Sequence, residues 1–391
     1  MLKSFTDHLA RVETARFGPF KFQIGIDQAN IDSLYLRVND AHRRFASSPL
    51  AQVAKQLEKE VVVTSIFGTN SIEGGTLSED ETQIALDLDP TQAQDIEQRR
   101  ALNLKNAYDQ ASKAAASPDW LLDTRFVRAV HAAITNDLPH PYNRPGQLRN
   151  NSKQIITQVG NSAHGGRYKP PQYEGDITTL LEALLQWHSE LVTRELPALI
   201  RAPLVHLYFE QIHPFRDGNG RVGRVLEATL LMQAGFQYAP FAQANHYLRH
   251  IDQYFTLFNS CRKAAAKSRP YPNNAFIQFF LEGMLDSLNS LHDRVNALIG
   301  VLLFNNQLRT YLDDKRINAR QYTITSQLMN AGWPLPLDQM QRSPWYQSLY
   351  LRLTDKTRQR DLRGLYDQSL LRLDSDKRLW PGFITSKDSQ P

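Results

Sequence analysis

His213-Pro214-Phe215-Arg216-Asp217-Gly218-Asn219-Gly220-Arg221-Val222-Gly223-Arg224 is the stretch on which the reading of this chain turns. An apolar segment leads in from Ala202 to Ile212, and another leads out from Val222 to Leu231. Glycines at 218 and 220 let the backbone approach an anion closely, and exposed N–H groups at a helix start point at it. Arg221 and Arg224, three apart, project on one side of that helix and suit phosphate oxygens. Asp217 is a hard oxygen ligand beside the phosphates, as Mg²⁺ requires. His213 can take a proton from an attacking hydroxyl near neutral pH. Phe215, with Pro214, would anchor the loop in the core. His-Pro alone is an ordinary loop and Gly-Asn-Gly alone an ordinary turn; their conjunction at this spacing reads as a phosphate site with a base beside it.

The rest of the chain bounds what that site can belong to. A length of 391 residues suggests two or three domains. Hydrophobic content of 41% and charged content of 22% are ordinary for a soluble globular protein. A single cysteine, Cys261, excludes an intrachain disulfide and fits a reducing compartment. The first residues lack an apolar core of signal-peptide length, and no stretch reaches about 18 apolar residues. A cytoplasmic protein with no membrane partner is expected. The net charge of +5 is uneven, since residues 301–391 carry fourteen Lys+Arg against nine Asp+Glu. This surplus is mild beside that of a dedicated nucleic-acid binder.

Most of the sequence reads helical. Leu50 to Glu73 has helical periodicity and stops at Gly74-Gly75, a C-terminal cap signal. Ser78-Glu79-Asp80-Glu81 is a capping box opening the next helix. Thr178 to Leu196 has apolar residues at spacings of three and four, and Asn245 to Leu257 reads as one helix carrying His250 and Tyr254 on a shared face. Residues 154–171, with Gly160, Gly165, Gly166 and Pro170-Pro171, read as a short β-hairpin or extended flap. After about residue 300 the chain turns more basic, and Pro334, Pro336 and Pro344 divide short helices. A domain boundary is expected there.

The His213–Arg224 run is similar, position for position, to the Fic motif His-x-Phe-x-Asp/Glu-Gly-Asn-Gly-Arg-x-x-Arg. Residues 50–280, with the flap and the apolar lead-in, also resemble that family. The resemblance implies a mostly α protein: an N-terminal helical region over 1–110, a Fic core with a small β-hairpin flap over 111–290, and a winged-helix-like domain over 300–391. It further implies transfer of AMP from ATP, with Mg²⁺, onto Ser, Thr or Tyr hydroxyls of target proteins, self-modification included. Carried over, His213 is the general base and Asp217 the metal ligand. Gly218, Asn219 and Gly220 form an anion hole, and Arg221 and Arg224 hold the outer phosphates. Residues 154–171 become an edge that docks the target by strand addition.

Thr69-Asn70-Ser71-Ile72-Glu73-Gly74 is similar to the family's inhibitory motif, Ser/Thr-x-x-x-Glu-Gly/Asn. By itself Glu73 reads as a solvated side chain at a helix end. The resemblance instead pairs it with Arg224 and takes that arginine from the γ-phosphate. His250 and Tyr254 would face the nucleotide base, although relatives often carry Asn where His250 aligns. In the tail, Lys356, Arg358, Arg360 and Arg363 suit DNA phosphates, but Asp355 and Asp361 interrupt them, and contact with a partner or in a homodimer competes with DNA binding. Two other functions stay open: transfer of UMP or phosphocholine, because the motif handles the diphosphate and not the base, and a DNA-binding regulator whose core only senses nucleotide. An intact His213 argues against the regulator, since phosphate sensing needs no base.

Overall fold

The computed structural model describes residues 5–49, 53–139, 144–151, 155–331 and 334–384. The chain divides into two compact units, 1–294 and 295–391. The first opens on an antiparallel hairpin, β1 (Ala10–Glu13) and β2 (Pro19–Phe22). There follow α1 (Gln28–Ala46), α2 (Ala54–Ile72), α3 (Glu79–Leu86), α4 (Ile96–Ala115), α5 (Thr124–Thr135) and α6 (Glu174–Thr193). Next come α7 (Ala198–Ile212), α8 (Asn219–Gln233), α9 (Ala239–Arg249), α10 (Ile251–Ala266) and α11 (Asn274–Asp313), whose residues up to 294 belong to this unit. The protein is mostly helical, as expected, but the opening hairpin departs from an all-helical N-terminal region. It forms because Phe20 and Phe22 alternate inward, and Phe22 packs on the rings of Trp187 and Tyr208.

Two helices form the centre. Thirteen of the fifteen residues of α7 and twelve of the fifteen of α8 are buried. A helix apolar or buried all round lies inside a larger body, and here α7, α4, α5, α9 and α2 pack around α8. The functional motif is the connection between these two helices, so its loop is fixed from both ends. The α2 helix ends in a Schellman motif: Gly74, at φ +80°, donates to Ser71 O at 3.1 Å, and Gly75 to Asn70 O at 2.8 Å. The expected capping box at Ser78 and Glu81 is present in both directions, at 2.8 and 3.2 Å. Leu50, at the expected start of α2, and Gln154, at the start of the expected flap, lie outside the described residues. No described helix is long and apolar enough to cross a membrane.

The core also stores a pH dependence. His188 is nearly buried in α6, and its Nε2 lies 3.0 Å from the Arg201 guanidinium. Burial first, and Arg201 second, pull its pKa down to about 3 from 6.5. The native state therefore keeps this ring neutral where the unfolded chain protonates it. Stability is full above pH 6.5 and is lost as pH falls toward 3, amounting to about 2 kcal/mol at pH 5. Thermal melts from pH 7 to pH 5 are expected to show a falling midpoint, with a shallower slope for His188→Gln. Equal slopes would remove His188 from the account.

The second unit has its own core, built on Phe304, Leu308, Ile324, Leu328, Tyr350, Leu365, Leu371 and Leu379. Its order is the end of α11, α12 (Ala319–Ala331), β3 (Leu335–Pro336), α13 (Leu337–Arg342), α14 (Pro344–Ser348), α15 (Asp355–Asp367), β4 (Leu371–Leu373) and β5 (Arg378–Pro381). The three strands form an antiparallel sheet in the order β3-β5-β4. Asp361 is buried, not interleaved with an exposed basic face. It accepts from Arg320 Nε at 2.7 Å, Asn318 at 3.0 Å and the Tyr350 hydroxyl at 3.0 Å. Lys356, Arg360 and Arg363 of α15 are exposed, whereas Arg358 lies partly against Tyr350.

Candidate active site

The α7–α8 connection begins with a backbone reversal. His213 closes α7 in the left-handed region, at φ 52° and ψ 61°. Histidine tolerates this better than a branched side chain does, and here two contacts hold it. Its N–H donates to Phe209 O at 2.8 Å, and its carbonyl accepts from Arg149 Nε and Nη2 at 3.2 and 2.7 Å. Arg149 is itself buried, and its backbone N–H donates to Pro214 O at 2.8 Å. Burial, with Arg216 nearby, draws the Arg149 pKa down to about 10.

The loop is closed from inside. The Asn219 amide accepts from Phe215 N and donates to Phe215 O, both at 2.9 Å. Phe215 is fully buried and stacks on His131 with centroids 3.7 Å apart. His131 Nδ1 accepts from Gly146 N at 2.9 Å, so its Nε2–H donates to Asp217 O at 3.1 Å. Gly218, at φ +78°, caps α8, a conformation that favours glycine. The Asn219 side chain is therefore committed to closing the loop around Phe215.

Glu73, Glu210, His213, Asp217, Gly218, Gly220, Arg224 and Tyr254 meet in a cavity of about 380 Å³, walled by Phe255 and Phe258 and by the flap at Val159 to Tyr168. Glu73 is the C-cap of α2, and its Oε1 accepts from Arg224 Nη2 at 2.6 Å. A β-carbon at position 220 would collide with that carboxylate. Glu73 thus occupies the anion position at the start of α8, where the helix dipole offsets what it costs at the end of α2.

Arg224 is buried and donates also to Thr69 O and to the Tyr254 hydroxyl, both at 3.3 Å. Behind it runs a buried chain. Tyr254 O–H lies 3.0 Å from His206 Nε2, His206 Nδ1 lies 2.9 Å from Glu227, and the Tyr247 hydroxyl donates to Glu227 at 2.8 Å. With the His206 proton on Nδ1, the three donors of this chain, Tyr254 O–H, His206 Nδ1–H and Tyr247 O–H, each meet an acceptor. Burial alone would lower the Arg224 pKa; Tyr254 and Glu73 outweigh it, and the net direction is upward.

Not every expected residue faces the cavity. Arg221 turns to Asp217, Nη2 to Oδ2 at 2.8 Å, and steadies that carboxylate without lining the space. His250 stays outside: the expected single helix breaks there, at φ −120° and ψ 39° between α9 and α10, and its Nδ1 pairs with His246 O at 3.0 Å. Tyr254 is in the wall, but its hydroxyl serves Arg224. The flap is the expected short hairpin, held among the described residues by the antiparallel bridge of Val159 with Tyr168. Asn259 donates to Gly165 O and Gly166 O at 2.6 and 2.7 Å, and Arg262 covers the Tyr168 ring at 4.5 Å. Arg149, His131, His206 and Glu227 carry no local sequence signal, and only the fold brings them to the motif; Glu210, three residues before His213, is close in sequence but went unread.

Comparison with known proteins agrees with this construction. Residues 121–231, the stretch that holds the His213–Arg224 loop, match the model of the Fic/DOC family. A Fic domain containing signaling protein from Bacteroides thetaiotaomicron superposes with a TM-score of 0.54 at 17% identity, over 68% of this chain and 97% of its own. A Fic family protein from Desulfovibrio desulfuricans gives 0.54 at 16% identity, over 92% and 97%. Among curated proteins, the Protein adenylyltransferase Fic of Drosophila ananassae is 26% identical over 54% of this chain and 39% of its own length. That of Drosophila willistoni is 38% identical over 19% and 15%. The chain thus spans well under half the length of these curated relatives.

Proposed function

We propose that this protein transfers AMP from ATP to the hydroxyl of a protein Ser, Thr or Tyr, and that Glu73 holds it in an inhibited state. The observation carrying this reading is the Glu73–Arg224 pair set on the glycine that opens α8, beside His213. In the reaction, His213 takes the hydroxyl proton and the oxygen attacks the α-phosphorus. The bond to the β-phosphate oxygen breaks, and pyrophosphate leaves. The N–H groups of Gly218, Asn219 and Gly220, with Arg224, hold the phosphates; Arg221 fixes Asp217. Most of the catalytic effect is positioning and charge stabilisation.

Among the described residues no group of three or more His, Cys, Asp or Glu could hold a metal by itself. A single carboxylate does suit Mg²⁺, which is commonly shared between one or two carboxylates, water and substrate phosphates. Asp217, 40% exposed at its side chain and lining the cavity, would be that ligand. Bound there, the ion would neutralise charge on the phosphate oxygens.

The relatives named as protein adenylyltransferases support the reaction class. The helix-strand-helix-helix-helix-strand-strand order of residues 319–381 supports reading the second unit as a winged helix, with α15 presenting Lys356, Arg360 and Arg363. A cytoplasmic setting fits the lone cysteine, whose thiol burial pushes up to about 12.

The test is incubation of the Glu73→Gly protein with a cell lysate and ATP labelled at either the α- or the γ-phosphate. Label from the α-position alone, with a matching mass increment on a hydroxyl side chain, is the expected result. Label from the γ-position, or better transfer from UTP or CDP-choline, would replace AMP by another group. No labelling, together with retention of one genomic DNA site at stated salt, would favour the regulator.

A further inference from the structure

The cavity contains one acidic side chain that the roles above leave unused. Glu210 lies on α7 three residues before His213, and its Oε2 is 3.6 Å from His213 Nδ1. That separation exceeds a hydrogen bond. Yet His213 Nδ1 and the other oxygen of Glu210, Oε1, are both buried with no hydrogen-bond partner among the described residues. The Glu210 side chain is only 11% exposed. A carboxylate so placed, beside a space that takes phosphates, is costly unless a donor faces it. Arg149 already fixes the His213 carbonyl, so the backbone of this residue is anchored while its ring is not.

We propose that Glu210 is the positioning residue for His213. Its carboxylate holds the neutral imidazole in the tautomer protonated at Nδ1, leaving Nε2 to receive the hydroxyl proton. The inference rests on the reaction proposed above for its kinetic consequence only. When the hydroxyl attacks, its proton passes to Nε2, and the electron pair of the O–H bond forms the bond to phosphorus. The Nδ1 proton stays on the ring, facing the Glu210 carboxyl group. Catalytic contacts that are long before the substrate binds tighten in the reacting complex. A ring held in the wrong tautomer has its lone pair on the wrong nitrogen, which is why an orienting carboxylate matters more than its distance from the substrate suggests.

The tautomer is read directly by ¹⁵N NMR of the full-length, nucleotide-free protein labelled at histidine, at a pH where the ring is neutral. The His213 signals are assigned by their loss in His213→Ala. The expected spectrum has Nδ1 protonated, reverting to the Nε2-protonated form in Glu210→Leu and retained in Glu210→Gln, which keeps an acceptor. Nε2 protonation in the unsubstituted protein, or a tautomer indifferent to Glu210→Leu, overturns the proposal. In the Glu73→Gly background, Glu210→Leu is expected to lower kcat about 100-fold with KM for ATP within about twofold, and Glu210→Gln to recover most of it. A fall in KM-level binding or in thermal midpoint that accounts for the whole loss would make Glu210 merely structural. Should Glu73→Gly transfer nothing while the tautomer still follows Glu210, the reaction assigned above fails and the pair stands.

Discussion

Replacing Glu73 with glycine is expected to raise AMP transfer about 10- to 100-fold. The Glu73–Arg224 contact is a charge-assisted hydrogen bond at 2.6 Å to a buried guanidinium. Bonds of this type contribute about 1.5–3 kcal/mol, and each 1.4 kcal/mol is a factor of about ten. Under the proposed function that energy opposes any phosphate competing for Arg224, and the carboxylate also fills the space above Gly220. The same substitution has a cost. A fully buried pair broken on one side loses about 3–5 kcal/mol. Here the Glu73 side chain is 31% exposed and Arg224 keeps Thr69 O and Tyr254, so a loss of about 1–2 kcal/mol is expected after discounting for solvent. The variant should therefore melt lower without nucleotide and gain more from ATP than the unsubstituted protein does. Labelling no stronger than that of the unsubstituted protein would end the inhibitory assignment of Glu73.

The opposite effect is expected at His213. In the Glu73→Gly background, His213→Ala should lower transfer by about 10²–10⁴, the range of a positioned general base. ATP should still stabilise the protein, because the anion site at the start of α8 and Arg224 are intact. A drop in rate accompanied by loss of the ATP-induced thermal shift would mean that the substitution collapsed the loop. His213 is the residue whose left-handed backbone sets the loop's direction, so Gln serves as a second variant. It should lose activity equally while keeping a polar side chain of similar bulk at the end of α7. Full activity in either variant would remove His213 from proton transfer.

The motif was legible because its working parts are contiguous: one loop and one helical turn carry His213, Asp217, the glycines and both arginines. Glu73 was legible only through a resemblance, since a carboxylate at a helix end gives no hint of which cation it meets 151 positions later. The buried support was not legible. Arg149, His131, His206 and Glu227 come from four separate segments, and nothing local distinguishes a buried ligand of a carbonyl from a surface arginine or histidine. His250 misled for a definite reason. The apolar pattern of 245–257 runs on through the break, but the backbone leaves the helix at His250, and its ring turns back to His246 O instead of lining the cavity. The flap shows the reverse: prolines and glycines correctly marked a short hairpin, paired at Val159 and Tyr168. The β1–β2 hairpin went unread although Gly18-Pro19 and the alternation of Phe20 and Phe22 signalled it.

Glu73 reaches α8 only because the whole of α2 is seated. Gly68 lies so close to the neighbouring helix that a β-carbon there would press on Asn245 Oδ1 at 2.7 Å, and Thr69 and Tyr108 bring their hydroxyls within 3.4 Å. Under the proposed function, this reverses the usual genetics of a core. Lesions that loosen α2 would behave as dominant, hyperactive alleles, clustered along a helix that bears none of the catalytic groups. Damage to α7 or α8 would produce the familiar silent ones.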